Sequence, residues 1–148
     1  CRDQFSQKRG WEMRCYAVID TNVLVAALLS SHDDAATVQV VTRLIAGEIT
    51  PLFNERIINE YSEVLRRERF HFPDEAVSVL LDVIEKYGEL VSASPTEDIL
   101  PDIKDVPFYE VVMEKQKDDA YLVTGNIKHF PKKPFIVTPR ELIDILSK

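Results

Sequence analysis

Residues 15–29 read CYAVIDTNVLVAALL. The first five are apolar and β-favouring and lead directly to Asp20, which is typical of a buried strand in a parallel sheet. Thr21 and Asn22 follow, and their side-chain oxygens can cap a helix over the apolar residues 23–29. This stretch therefore predicts a strand, an acidic turn and a helix, with Asp20 at the carboxyl end of the strand.

The remainder of the chain alternates between the apolar patterns of strands and helices. Further strands are predicted at 50–53, from Leu90, at 120–124 and at 135–137, and helices at 33–46, 55–69, 73–87, 108–117 and from Pro139. Strands that alternate with helices indicate an α/β fold whose parallel sheet is covered by helices on both faces. Residues 92–107 form a long predicted loop, and loops of this length often carry function.

Size and composition predict a single soluble domain. A chain of 148 residues with 45% apolar content can bury a two- or three-layer core. Its longest apolar run, residues 23–29, is far shorter than the roughly 20 residues needed to cross a bilayer. We therefore expect a cytoplasmic protein without membrane association.

The N-terminal residues and the cysteines have no predicted function. Residues 1–12 are polar and aperiodic and are interpreted as an N-terminal extension or a cloning remnant, with the domain itself at 13–148. Cys1 and Cys15 lack the spacing of a metal site, and we expect both to be reduced thiols. The histidines share no spacing that would predict a histidine metal site: His32, His71 and His129.

The charge of the chain restricts how it can bind a nucleic acid. The formal net charge is -7, whereas tight sequence-independent binding to a phosphate backbone normally rests on surplus lysine and arginine. Acidic residues gathered around a divalent cation reverse the local field, because the charge of the ion dominates at close range. A nucleic-acid substrate is therefore compatible with this charge if some acidic residues surround a divalent cation, and composition alone does not decide the matter.

Four polar residues are predicted to meet at one edge of the sheet, where ligands of open parallel sheets bind. Asp20 ends the first strand, and Asn126 follows the strand at 120–124 by one glycine. Asp105 lies in the loop before the helix that leads into that strand, and Glu60 lies in the helix after the second strand. Carboxylates that converge repel one another, and a bound cation is one remedy.

The donor atoms of such a site indicate the metal. Oxygen ligands without histidine or cysteine favour Mg²⁺ or Mn²⁺ over Zn²⁺. An ion of this kind can activate water, neutralise a phosphate and stabilise a leaving oxygen, which phosphodiester hydrolysis requires.

Four segments of the sequence resemble the motifs of the PIN-domain family, in the order of the family. They are VIDTNVLVAALL at 18–29, INEYSEVL at 58–65, DIKDVPFYEVV at 102–112 and YLVTGNIKHF at 121–130. Each motif is short, but four in order are specific. The similarity covers about 13–148, and it is closest to bacterial and archaeal members described as toxin components of toxin–antitoxin pairs.

The resemblance implies a three-layer α/β/α sandwich with a central parallel sheet, dependence on Mg²⁺ or Mn²⁺, and hydrolysis of single-stranded RNA. By position in the motifs, it implies metal ligands at Asp20, Glu60 and Asp105. Asn22 and Thr124 would be polar residues that support these ligands.

Two positions depart from the family pattern. Many relatives have Asp where this chain has Asn126, so the fourth catalytic position carries an amide oxygen without charge. His129 likewise stands where another carboxylate is often found. Both changes would weaken binding of a second metal ion.

Each site residue also has a purely structural interpretation. Asp20 can cap the helix that follows it, which contributes about 1 kcal/mol, and Glu60 can be an exposed charge paired with an arginine. Asp105 competes with Asp102, since either can cap a turn, and Asn126 can be an ordinary turn residue. We favour the metal roles because of the motif matches, and Asp105 because its spacing to the next helix fits the family.

The basic residues are weaker candidates. Three lysines after the fourth motif can hold an RNA backbone near the metal, with simple solvation as the alternative: Lys128, Lys132 and Lys133. Three arginines are interpreted as a solvated helix face: Arg66, Arg67 and Arg69.

Three functions are compared. The leading one is a metal-dependent endoribonuclease that acts as the toxin of a toxin–antitoxin pair. A small antitoxin that covers the acidic cleft would restrain it. A homodimer is expected from similar proteins only. The alternative is a degenerate PIN module that binds RNA or a protein without cleavage, which Asn126 favours. A phospho-acceptor signalling domain would need an acidic pair near the first strand and a late lysine, and the sequence fits neither requirement convincingly.

Overall fold

The computed structural model describes residues 15–148, which form five strands and six α-helices. The predictions for residues 1–12 and Cys1 lie outside this range. The strands are β1 (Cys15–Ile19), β2 (Ile49–Phe53), β3 (Glu89–Leu90), β4 (Tyr121–Val123) and β5 (Ile136–Val137). The helices are α1 (Thr21–Leu29), α2 (Ala36–Ile45), α3 (Glu55–Leu65), α4 (Asp74–Tyr87), α5 (Val106–Glu114) and α6 (Pro139–Leu146). Short 3₁₀ helices lie at Glu68–Phe70, Ile103–Asp105, Gln116–Asp118 and Ile127–His129.

The strands form one parallel sheet in the order β3-β2-β1-β4-β5. The chain builds outward from β1 to β3 and then returns to place β4 and β5 on the other side of β1. This reversal of strand order lies between β1 and β4, which is where a ligand crevice opens in folds of this class. The predicted three-layer α/β/α arrangement with a central parallel sheet is confirmed.

The sheet is buried on both faces. Ala17, Val18 and Ile19 in the middle strand are at most 1% exposed, which explains why β1 reads as a continuous apolar run. Helix α5 packs against β1, β2 and β4 with Phe108 and Tyr109, which are almost fully buried. No helix in the part of the chain that the structure describes has the length and apolar character needed to span a membrane.

Gly88 ends α4 as its position predicts, and the reason is close packing. A Cβ atom at this position would lie 2.4 Å from the carbonyl oxygens of both Ile84 and Pro51. Pro51 is in β2, a strand paired on both sides, where it cannot donate a ladder hydrogen bond. The absent side chain of Gly88 lets the chain enter β3 directly against this part of β2.

Several helix bounds differ from the predictions. Helix α3 ends at Leu65, and the guanidinium of Arg66 bonds to Ser62 on α3 and to Asp74 and Ser78 on α4. The predicted end at residue 69 was therefore wrong, and so was a simple solvated role for Arg66. Arg67 pairs with Glu63 and Arg69 lies over the ring of Phe70, so both lie beyond the end of α3 and not on one helix face with Arg66.

Two other helices begin at positions that the sequence pattern misplaced. Helix α5 begins at Val106, two residues before the prediction, since Pro107 is tolerated in a first helical turn. It also ends earlier, at Glu114, and Asp119 then takes a left-handed conformation before β4. Helix α2 begins at Ala36 after an exposed turn.

Candidate active site

Asp20 lies where β1 ends and α1 begins. Its backbone N–H donates to the carbonyl of Val123 in β4 at 2.9 Å, and its side chain is only 5% exposed. The side chain makes no capping hydrogen bond to α1, so the capping interpretation does not describe this residue. The predicted capping role of Thr21 and Asn22 was also wrong, because α1 already begins at Thr21 and both side chains bond elsewhere.

Hydrogen bonds from two predicted supporting residues hold the carboxylate of Asp20. The hydroxyl of Thr124 donates to Oδ2 at 2.7 Å, and the Nδ2 atom of Asn22 donates to the same oxygen at 3.2 Å. Both supporting side chains also accept from the loop after β4, Thr124 from the N–H of Asn126 at 2.9 Å and Asn22 from the N–H of Gly125 at 3.2 Å. Asp20 and this loop are therefore fixed to each other.

Glu60 faces the same junction from α3. Its Oε2 atom accepts a hydrogen bond of 2.5 Å from the hydroxyl of Thr21. The next residue, Tyr61, is buried and donates its hydroxyl to the carbonyl of Ile19 at 2.5 Å. Among the ion pairs between described residues, none involves Glu60, so the surface-pair interpretation does not apply. Asn54 caps the start of α3 as predicted, by accepting from the N–H of Ile57.

Asp102 and Asp105 have different environments. Asp102 is exposed, and its carboxylate caps the 3₁₀ helix by accepting from the N–H of Lys104 at 2.9 Å. The side chain of Asp105 is only 13% exposed, and its Oδ2 atom lies 3.2 Å from Nδ1 of His129. The capping role therefore belongs to Asp102, and Asp105 faces the candidate site.

The three carboxylates interact electrostatically. Burial raises the pKa of Asp20 to about 6, the hydrogen bond from Thr124 opposes the rise, and the charges of Asp105 and Glu60 add to it. Burial also raises the pKa of Glu60, with the Thr21 hydroxyl opposing and Asp105 adding. The pKa of Asp105 is raised mainly by burial and then by Asp102, while His129 lowers it. The three side chains are therefore within electrostatic range of one another, and we refer to this region as the acidic pocket. Their joint ligation of a metal stays a prediction.

The remaining predicted residues lie in the segment between β4 and β5. Asn126 is exposed and its side chain does not cap the following 3₁₀ helix. Lys128 and Lys132 are exposed and Lys133 is partly exposed. Their contact with RNA stays a prediction.

Sequence reasoning missed the roles of Thr21 and Tyr61. Thr21 was predicted as a cap, and its contact with Glu60 joins residues 39 positions apart, which no local pattern shows. Tyr61 follows the helical apolar spacing of α3 and was assigned to the core. Its position directly after Glu60 in the second motif was the only available signal.

The carboxylate oxygens of the acidic pocket are the donor atoms that a hard divalent cation prefers. Asp20 is a buried carboxylate, and among the described residues no lysine, arginine or histidine forms an ion pair with it. Carboxylates with raised pKa values gain most from a cation, and oxygen donors suit Mg²⁺ or Mn²⁺. Within residues 15–148, however, no three His, Cys, Asp or Glu side chains stand together as a preformed metal cluster. An ion would have to draw these repelling side chains together.

Comparisons with known proteins agree with the fold. A family model described as PIN domain matches residues 16–128. The crystal structure of PAE2754 from Pyrobaculum aerophilum is similar with a TM-score of 0.55 and 18% sequence identity, over 91% of this chain and 90% of that chain. At this identity the likeness concerns the fold. A search of curated proteins gave no significant match.

Proposed function

Because the chain belongs to the PIN-domain family, we propose that it is a metal-dependent endoribonuclease that hydrolyses phosphodiester bonds of single-stranded RNA. PIN domains are generally nucleases and typically use divalent metal ions. The observation that supports this proposal most directly is the buried carboxylate of Asp20, whose pKa is raised by burial and by two neighbouring carboxylates. Such an arrangement destabilises the metal-free protein and is characteristic of functional sites.

Asp20, Glu60 and Asp105 would hold Mg²⁺ or Mn²⁺. When bound, the ion would supply positive charge for the phosphate and the leaving oxygen and would make water more acidic. The protein supplies orientation, since Thr124 and Asn22 fix one oxygen of Asp20. Supporting hydrogen bonds of this kind orient metal ligands and tune their affinity.

The loop after β4 would position the RNA. Its lysines would contact phosphates, and such contacts fix the register of the strand without reading its sequence. The net charge of -7 repels RNA elsewhere on the molecule. Attack of water in line with the 3′-oxygen would leave a 5′-phosphate on the product.

A small antitoxin that covers this cleft is the partner that we propose. Two apolar side chains in the loop before Asp105 support it, since Ile99 is 95% exposed and Ile103 is 78% exposed. Exposed apolar side chains beside a functional pocket are typical of a protein contact. The similarity to toxin components supports the same partner, and a homodimer is proposed on that similarity alone.

A PIN module that binds RNA without cleavage is the second candidate. It is favoured by Asn126, which brings no charge to the fourth catalytic position, and by the absence of a preformed metal cluster among residues 15–148. In that case the acidic pocket would bind an ion weakly or only together with RNA.

The proposed function is tested on protein freed of any co-purifying partner. Unstructured RNA is incubated with the wild type in Mn²⁺ and in EDTA, and in Mn²⁺ with Asp20→Asn. Asp82→Asn, an exposed change on α4, is the matched control. We expect cleavage to 5′-phosphate ends by the wild type and the control in Mn²⁺ alone. Cleavage that persists in EDTA and in Asp20→Asn would contradict the proposal, and binding without cleavage in Mn²⁺ would favour the second candidate.

A further inference from the structure

Two hydrogen bonds join the β1–α1 junction to α3 on either side of Asp20. The residue before it, Ile19, accepts from the hydroxyl of Tyr61, and the residue after it, Thr21, donates to the carboxylate of Glu60. Both bonds are 2.5 Å long, and their α3 partners are consecutive in sequence.

This arrangement is well shielded from water. Tyr61 is 1% exposed and Thr21 is 5% exposed. Ile19 lies two residues beyond the last registered pair of β1 and β2, which is Ala17 with Pro51. The hydroxyl of Tyr61 therefore attaches α3 to the strand end where the β1–β2 ladder has already stopped.

The charges in the pocket explain why such an attachment is needed. Asp20 and Glu60 repel each other, and the charge of each acts on its neighbours. Repulsion favours movement of α3 away from β1. Two hydrogen bonds oppose that movement, a buried one to the backbone beside Asp20 and a partly buried one to Glu60 itself.

We infer that Tyr61 and Thr21 are positioning residues that keep α3 beside the β1–α1 junction, so that a divalent cation can draw Asp20 and Glu60 together. This inference rests on the proposed function, because it assigns the pair a role toward the same ion. Neither residue contacts RNA or the ion in this role. Tyr61 sets the distance between the two backbones, and Thr21 sets the orientation of the Glu60 carboxylate.

The chain offers a matched control for Tyr61. Tyr109 on α5 is also fully buried, and its hydroxyl also makes a hydrogen bond of 2.5 Å, to the carboxylate of Asp98. Tyr61→Phe and Tyr109→Phe therefore remove the same atom from similarly buried rings. For Thr21, Thr21→Val removes the hydroxyl at constant shape, and Thr21→Ser keeps it.

The test is calorimetric titration of MnCl₂ into the full chain and these four variants, with melting of the metal-free proteins as the check of folding. We expect Tyr61→Phe and Thr21→Val to bind Mn²⁺ about 10- to 100-fold more weakly, as is usual when a group that orients a metal ligand is lost. Thr21→Ser should retain the wild-type affinity. Tyr109→Phe should melt earlier and still bind Mn²⁺ as the wild type does.

The outcomes separate the inference from the function on which it rests. If the wild type binds Mn²⁺ and Thr21→Val binds it with the same affinity, the inference alone is overturned. This comparison decides even if Tyr61→Phe fails to fold. An equal loss of affinity in Tyr109→Phe would overturn it as well, since general destabilisation would then be the cause. A wild-type chain that binds no Mn²⁺ would overturn the proposed function together with the inference.

Discussion

The hydroxyl of Thr124 donates a hydrogen bond of 2.7 Å to Oδ2 of Asp20, across 104 positions of sequence. The bond joins the carboxyl ends of β1 and β4, where the strand order reverses. It also favours the charged form of Asp20 against the effect of burial. Thr124 thus keeps a buried carboxylate available for a cation at neutral pH.

Thr124→Val removes this donor at nearly constant shape. The pKa of Asp20 should then rise above its present value of about 6, because the hydrogen bond from Thr124 that lowers this pKa is lost while burial still raises it. The N–H of Asn126 also loses its acceptor, and we expect the free energy of unfolding to fall by about 1–3 kcal/mol. Urea denaturation measures this loss. Thr124→Ser keeps the hydroxyl and should match the wild type, and a stable Thr124→Val would contradict the assigned contact.

Asp20→Asn should stabilise the metal-free protein at high pH. The pKa of Asp20 rises from 3.8 to about 6 on folding, so the folded state binds the proton more tightly than the unfolded state. The contribution of this proton to the free energy of unfolding is complete below pH 3.8 and is lost as the pH rises through about 6. Asparagine does not titrate, and it can still accept from Thr124.

The free energy of unfolding of metal-free Asp20→Asn should therefore exceed that of the wild type by up to about 3 kcal/mol at pH 8 and by little at pH 4. Urea denaturation in EDTA across this pH range measures the difference. A gap that stays constant with pH, or a variant less stable at pH 8, would show that the carboxylate is not the destabilising group.

Asn126→Asp should strengthen the metal site. The change adds a negative charge at the fourth catalytic position, and affinity for hard cations rises with the number of charged ligands. We expect Mn²⁺ affinity and the rate of RNA cleavage to rise roughly tenfold. Thr42→Asp on the exposed face of α2 changes the net charge equally and should alter neither. A neutral or harmful Asn126→Asp would place residue 126 outside the site.

The lysines after β4 should contribute to RNA affinity through phosphates. Replacing Lys128, Lys132 and Lys133 by alanine should make the negative slope of log affinity against log salt less steep by about 2. Each phosphate contact with a single strand contributes about 0.7 to the steepness of this slope. Fluorescence anisotropy on the Asp20→Asn background measures binding without cleavage. A matched triple replacement at exposed lysines elsewhere should leave the slope unchanged: Lys86, Lys117 and Lys148. Equal effects of the two sets would mean that the lysines after β4 are merely solvated.

Much of the fold was predictable because its strongest signals are local. The apolar run of β1 and the helical spacing of α3 report burial directly, and Asn54 and Gly88 mark element ends where the sequence predicts them. The role of Arg66 was not predictable, because its partners on α4 are close only after folding.

The candidate site was predictable only in part. The place of Asp20 follows from the rule that ligand sites lie at strand ends. The choice of Glu60 and Asp105 rests on the motif resemblance, and ligation of a metal by the three stays a prediction. The side chain of Asp20 is held by Thr124, which directly follows β4, and the partner of Thr21 depends on the docking of α3. Such contacts join distant segments and leave no periodic pattern in the sequence.

Calorimetric titration of Mn²⁺ shows whether Asp20, Glu60 and Asp105 together hold a divalent cation. The wild type is compared with Asp20→Asn, Glu60→Gln and Asp105→Asn, and with Asp102→Asn as the control, since asparagine can cap the same turn. We predict saturable binding to the wild type and to Asp102→Asn, and a loss of at least about tenfold in each of the other three variants. If all three variants bind Mn²⁺ as tightly as the wild type, or if the wild type binds none at neutral pH, the three carboxylates do not hold the ion.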